Sequence, residues 1–136
     1  MAITLSSAAS TAAINAACNA IVDLVDGGAG AGTIVLKTAV DAEVARLTFS
    51  DPAFGSAAAG VATANAITND SDAAGNASPV TKFAVEDSDV VEVWTGAVAE
   101  SASDLNIDDG TPGGGVVIDT NAVVSISSIT FTIAFV

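Results

Sequence analysis

The sequence predicts a mainly β protein, a β-sandwich or barrel with one N-terminal Ala-rich helix. Three observations carry this. Short runs rich in Val, Ile, Thr and Phe recur along the chain, separated by clusters of Gly, Pro, Asn and Asp. From Ile129 onward the terminal stretch AVVSISSITFTIAFV alternates strictly, with Ile129, Phe131, Ile133 and Phe135 on one parity and Ser128, Thr130, Thr132 and Ala134 on the other. Helical spacing is confined to one segment near the start. With 136 residues the chain suits one domain, 1–136, and is too short for two.

The elements follow in order. Residues 2–5 read as a short extended arm. Ser6 or Ser7 suits an N-cap for a helix over about 8–25. Ile14, Cys18, Ile21 and Val25 share one face of it, and Asn15, Asn19, Asp23 and Asp26 form a polar stripe on another. Gly27–Gly28 ends the helix, and its two aspartates oppose the dipole there. Cys18 is the sole cysteine, so it forms no internal disulfide and reads as a small buried hydrophobe. The GGAGAG run, 27–32, lacks the lysine and preceding strand of a phosphate loop and reads as a connector.

Strands are expected at 33–38, 44–50, 60–68, 80–86, 90–95, a short 97–100, 115–119 and in the terminal stretch. Asp51–Pro52 starts a turn, and 69–79 and 108–115 are polar loops. Val124 and Ile126 lie on the parity opposite to Ile129, which places a bulge or crossover near Ser127–Ser128. Ile129, Phe131, Ile133 and Phe135 are expected to be buried, with Thr130 and Thr132 less so.

Three basic residues stand against sixteen acidic ones, a net charge of −13. Such a surface repels phosphate, which excludes nucleic acid and anionic membranes as partners. It suits a highly soluble protein, one living in high salt, or one that docks on a basic surface. No apolar run of ~18 residues is evident, so no membrane span is expected. The N-terminal segment lacks the basic and Leu-rich regions of a signal peptide and is read as part of the mature protein.

Chemistry-bearing residue types are sparse. Histidine and tyrosine are absent, which removes His-dependent nucleophilic systems and the usual zinc sites. Asp87–Asp89 and Asp108–Asp109 are carboxylate pairs that would need a raised pKa to act as acid and base; solvated surface is the default reading. Asp104, Asn106 and Asp108 alternate as in a calcium loop, but the glycine comes one residue late and Gly115 stands where the closing Glu belongs. They are weak metal candidates, and no cofactor is expected. Asn69–Ser71 fits a glycosylation sequon, relevant only in a eukaryotic secretory setting. Trp94 shares its parity with Glu92, which leaves two readings: an exposed contact residue, or a ring folded over the sheet edge onto the core.

LTFSDPAFGSAAAGVATANAIT at 47–68, SASDLNI at 101–107 and the closing ISSITFTIAFV resemble a group of small proteins encoded in tailed-phage structural gene clusters. Those proteins share a [LF]-[ST]-F-x-x-P-A-F-G segment, a GADLNL-like segment and a Thr/Ile/Phe-rich terminal strand. The Ala-rich opening that ends in VDLVD is also similar. The relatives carry an aromatic-Thr-Gly-x-x-Pro segment after the first strand; here Leu36–Val40 runs straight on, and the middle loop is richer in Asp.

The resemblance implies a non-enzymatic virion component, a decoration or cement protein on the capsid surface that contacts the major capsid protein. Trp94, Ile129, Phe131, Ile133 and Phe135 are the interface candidates, and a homo-oligomer, most simply a trimer, is expected. A tail or fibre protein and an extracellular β-sandwich binding module are the alternatives. One Trp and no Tyr give a carbohydrate binder few aromatic platforms. A two-carboxylate hydrolase would need a pocket that small side chains leave little room for.

Overall fold

The computed structural model describes residues 4–100, 103–107 and 115–134. Its strands are β1 (Thr33–Thr38), β2 (Glu43–Phe49), β3 (Val61–Thr63), β4 (Ile67–Thr68), β5 (Asn76–Glu86), β6 (Glu92–Ala99), β7 (Leu105–Asn106), β8 (Val116–Ile118) and β9 (Thr130–Thr132), preceded by one helix, α1 (Ser7–Val22). The fold is mainly β, a curled half-barrel sheet with one N-terminal helix.

Ser6 caps α1 as its type predicts: its backbone is extended and its hydroxyl accepts from Ala9 N at 3.2 Å. The helix tightens into a 3-10 turn over Asp23–Asp26 before Gly27. Cys18, Val22 and Val25 are fully buried, while Ile14 and Ile21 are half-buried. Ser7–Asp26 has a mean hydropathy of 1.4 and is long and apolar enough to cross a membrane by length and composition alone, which the sequence reading did not anticipate. In the fold Cys18, Val22 and Val25 of this segment join the core, while most of its length is exposed.

The large sheet runs β4-β2-β1-β5-β6-β7, with β8 also pairing to β5. Neighbours are antiparallel except β6–β7. Val80 pairs with Thr38 on one side and Val116 on the other, so β8 continues the line of β6 along β5. One face of the sheet carries Ile34, Leu36, Leu47, Phe83 and Val85 onto α1, where they form the core. Thr33, Val35 and Lys37 point to the opposite face, since side chains alternate along a strand. β3 and β9 form a separate two-stranded sheet against α1.

Several boundaries differ from the sequence reading. The expected strand 60–68 is two strands, β3 and β4, because Ala64–Ala66 turn the chain from one sheet to the other. The expected loop 69–79 gives its last residues to β5, which starts at Asn76. The runs 90–95 and 97–100 are one strand: Gly96 leaves room for the Phe83 ring, which any side chain there would strike. The Asp51–Pro52 peptide, in the expected turn, is cis.

The crossover near Ser127–Ser128 is present. Val124 bridges Asp70 beside the large sheet, and β9 then joins β3. Val124 and Ile126 are buried, but Ile129, Phe131 and Ile133 are only half-buried, not buried as expected. β9 is three residues long and, among the described residues, pairs on one side only, so its apolar face packs at the rim of the core. Thr130 and Thr132 are exposed, as the alternation requires. Phe135 lies outside the described residues.

Candidate functional site

Of the residues singled out from the sequence, Trp94, Asp104, Ile129 and Phe131 line one groove. Trp94 takes the second of its two readings: it is half-buried, on the core side of β6. Its ring packs on Phe131 with centroids 4.8 Å apart and edge-on against Phe54 at 5.8 Å, and Phe54 meets Phe49 at 5.5 Å. This row of four rings runs from the buried sheet to the rim and ties β9 to β6.

A groove of about 240 Å³ opens beside that row, lined by Phe83, Trp94, Thr95, Gly96, Asp104 and the segment from Ile129 to Thr132. Two strand edges border it. Ala97 N–H donates to Asp104 Oδ2 at 2.8 Å and Ala99 O accepts from Ile107 N, so the odd-numbered residues of β6, Thr95 among them, turn their backbone groups away from β5. On β9, Ile129 O and Ile133 N bond to β3, which turns the backbone groups of Thr130 and Thr132 the other way. Among the described residues nothing pairs with Thr95, Thr130 or Thr132 on those sides. Thr95, Thr130, Thr132 and Asp104 are exposed.

The metal candidates are engaged otherwise. Asp104 holds Ala97 N–H as above, and Asn106 Oδ1 accepts from Ser103 N at 3.2 Å. Asp108, with Asp109, lies outside the described residues. Among the described residues no cluster of three or more potential ligands occurs. Asp87 closes a turn, its Oδ1 accepting from Asp89 N and Val91 N, both at 2.9 Å. The glycine connector is pinned by Ser88, whose Oγ accepts from Gly30 N and donates to Gly27 O.

Every basic side chain of the protein is engaged by one of its own acids. Lys37 Nζ meets Glu86 Oε1 at 2.9 Å. Arg46 reaches Glu86 Oε2 at 3.0 Å and Glu43 Oε2 at 2.7 Å. Lys82 meets Asp41 at 2.6 Å. Glu86 is 4% exposed and is the hub. Arg46 is held above its ordinary pKa by its hydrogen bond to Glu43, with Glu86 adding to this against the cost of burial. The hydrogen bond from Lys82, reinforced by its charge, lowers the pKa of Asp41. With no cation to spare, the remaining acidic surface is uncompensated from within the chain.

Three residues of the polar stripe near α1 hold a loop. Asn15 Oδ1 accepts from Gly60 N at 2.9 Å, Asn19 Oδ1 from Ala57 N at 2.8 Å and Asp26 Oδ1 from Ala53 N at 2.8 Å. These three acceptors clamp the PAFGSAAAG segment at Ala53, Ala57 and Gly60, while Gly55 N and Ala58 N donate to the Thr63 and Val61 carbonyls. Gly60, at φ +79, lies so close to Ile14 and the Ile133 carbonyl that no side chain fits. Their spacing of four and seven along the helix was the available signal. The exposed residues of α1 include Ala9, Ala13, Ala16 and Ala20 along one line, with Ser7, Ala8, Thr11 and Ala12 beside them, continued by Leu24, which is 57% exposed. The helix carries no charged residue.

Comparison of the chain with protein-family models, curated proteins and solved structures returns no match.

Proposed function

We propose that this chain is a non-enzymatic structural protein of a tailed-phage virion, a decoration or cement protein seated on the capsid. It acts there as a homo-oligomer, most simply a trimer, against the major capsid protein. The observation that carries this reading is the outer face of α1. Ala9, Ala13, Ala16, Ala20 and Leu24 form an exposed uncharged stripe on a protein of net charge −13. Small side chains let a neighbouring backbone approach closely, and an apolar stripe favours burial against a partner. The likeness of LTFSDPAFG and ISSITFTIAFV to phage structural proteins supplies the setting.

The test is co-sedimentation of the purified protein with heads assembled from the phage's major capsid protein, with purified tails in parallel. The proposal expects saturable binding to heads. It also expects that Ala16→Glu, which places a charge on the outer stripe and leaves the clamp and core untouched, folds normally and sediments free. Binding to tails alone would move the protein to the tail. Binding to neither would remove the virion reading.

A further inference from the structure

We propose that the groove between β6 and β9 is a docking site for an extended, basic peptide segment of a partner, which adds to the β6 edge at Thr95. The inference goes beyond the virion reading and does not depend on it. Three features carry it. Thr95 on one bank and Thr130 and Thr132 on the other turn backbone donors and acceptors toward the groove, and among the described residues these have no partner on that side. Unpaired strand edges are templates for strand addition, in which main-chain hydrogen bonds supply affinity and alternate side chains supply specificity. Trp94 and Phe131 lie at the base of the groove between polar banks, so a side chain of an added strand that faces inward meets their rings. About 240 Å³ lies below the ~300–1,000 Å³ of small-molecule pockets, which favours a strand over a drug-sized ligand.

Charge chooses the occupant. Asp104 is the one ionisable residue of the lining, with one carboxylate oxygen on Ala97 N–H. The three cations of the chain are all bound to Glu86, Glu43 or Asp41, so none offsets it. A second copy of this chain would bring another −13 charges to the groove, whereas a Lys- or Arg-bearing strand brings complementary ones.

The protein carries its own reporter, because Trp94 is the sole Trp and there is no Tyr. Emission from the full chain would be titrated with a peptide of about six residues that alternates Lys and Val, and with a matched Glu/Val peptide. The expected result is a saturable Trp94 response to the basic peptide, weakened by salt and absent for the acidic one. Thr95→Pro removes the outward N–H without touching the β5 ladder and should abolish the response. Asp104→Asn keeps the acceptor for Ala97 N–H but removes the charge, and should weaken binding up to about fivefold, the upper end for one exposed ion pair. Asp104→Asn also stands as the test if Thr95→Pro fails to fold. Equal response to both peptides, no response to either, or binding unaltered in the folded variants would overturn the proposal. So would a concentration-dependent Trp94 shift without peptide that coincides with dimerisation in the ultracentrifuge, since the occupant would then be a second copy.

Discussion

The β1–β2–β5 sheet and the rim formed by α1, the 53–60 segment, β3 and β9 are held together in different ways. In the sheet, β-branched and leucine side chains are fully enclosed on the core face, and the outer face is covered by the Lys37–Glu86–Arg46 network. Val35, fully buried on that outer face, lies in register beside Arg46 and Ala84. At the rim, Ile129, Phe131 and Ile133 are half-buried, and side-chain acceptors take the backbone donors of Gly60, Ala57 and Ala53. Hydrophobic enclosure secures the first region. Directional hydrogen bonds on a thin apolar layer secure the second, which leaves open edges and an uncharged helix face beside it. The region with less enclosure is the one with surface available to a partner.

Substitutions can break or sharpen this contrast. Phe49→Ala, at a position 2% exposed, should cost about 3–5 kcal/mol in chemical denaturation. Glu86→Ala strands Lys37 and removes one of Arg46's three side-chain partners; it should cost about 3 kcal/mol, the lower end for a broken buried pair, because both cations keep some solvent. Phe131→Ala, half-buried, should cost about 2 kcal/mol; a loss equal to that of Phe49→Ala would erase the distinction. Asn19→Ala leaves Ala57 N–H unpaired and should cost about 1–2 kcal/mol. A neutral result would show that the clamp contributes nothing.

The smallest effect concerns pH. Asp41 has its pKa lowered below 3.8 by Lys82, so its contribution is full above that unfolded value and is lost as pH falls through the folded one. Since Asp41 is fully exposed, Asp41→Asn should flatten the acid limb of the melting curve only slightly.

The sheet was legible because its periodicity is strong. β1, β2 and β8 fall within a residue or two of the expected bounds, and the capped helix begins one residue early. The change of parity at Ser127–Ser128 also marks a real transfer between sheets. Period alone did not reveal depth: Phe131 alternates as a core residue does, yet among the described residues its strand has a neighbour on one side only. The clamp was missed because Asn15 and Asn19 look the same on a helical wheel whether they face water or a loop's N–H groups. The Glu86 hub was missed because its partners come from β1 and β2, and only register brings them together. The groove depends on which edges stay unpaired, which strand order decides and composition does not.

Native-state hydrogen exchange on the intact protein tests the contrast most directly. Amides of β1 and β2 should exchange only through global unfolding, with the free energy found by denaturant titration. The hydrogen-bonded amides of the rim, Ala57, Gly60, Ala64 and Ile133, should exchange through a local opening of lower free energy that Asn19→Ala lowers further. A single exchange free energy across both regions, unmoved by Asn19→Ala, would contradict the account.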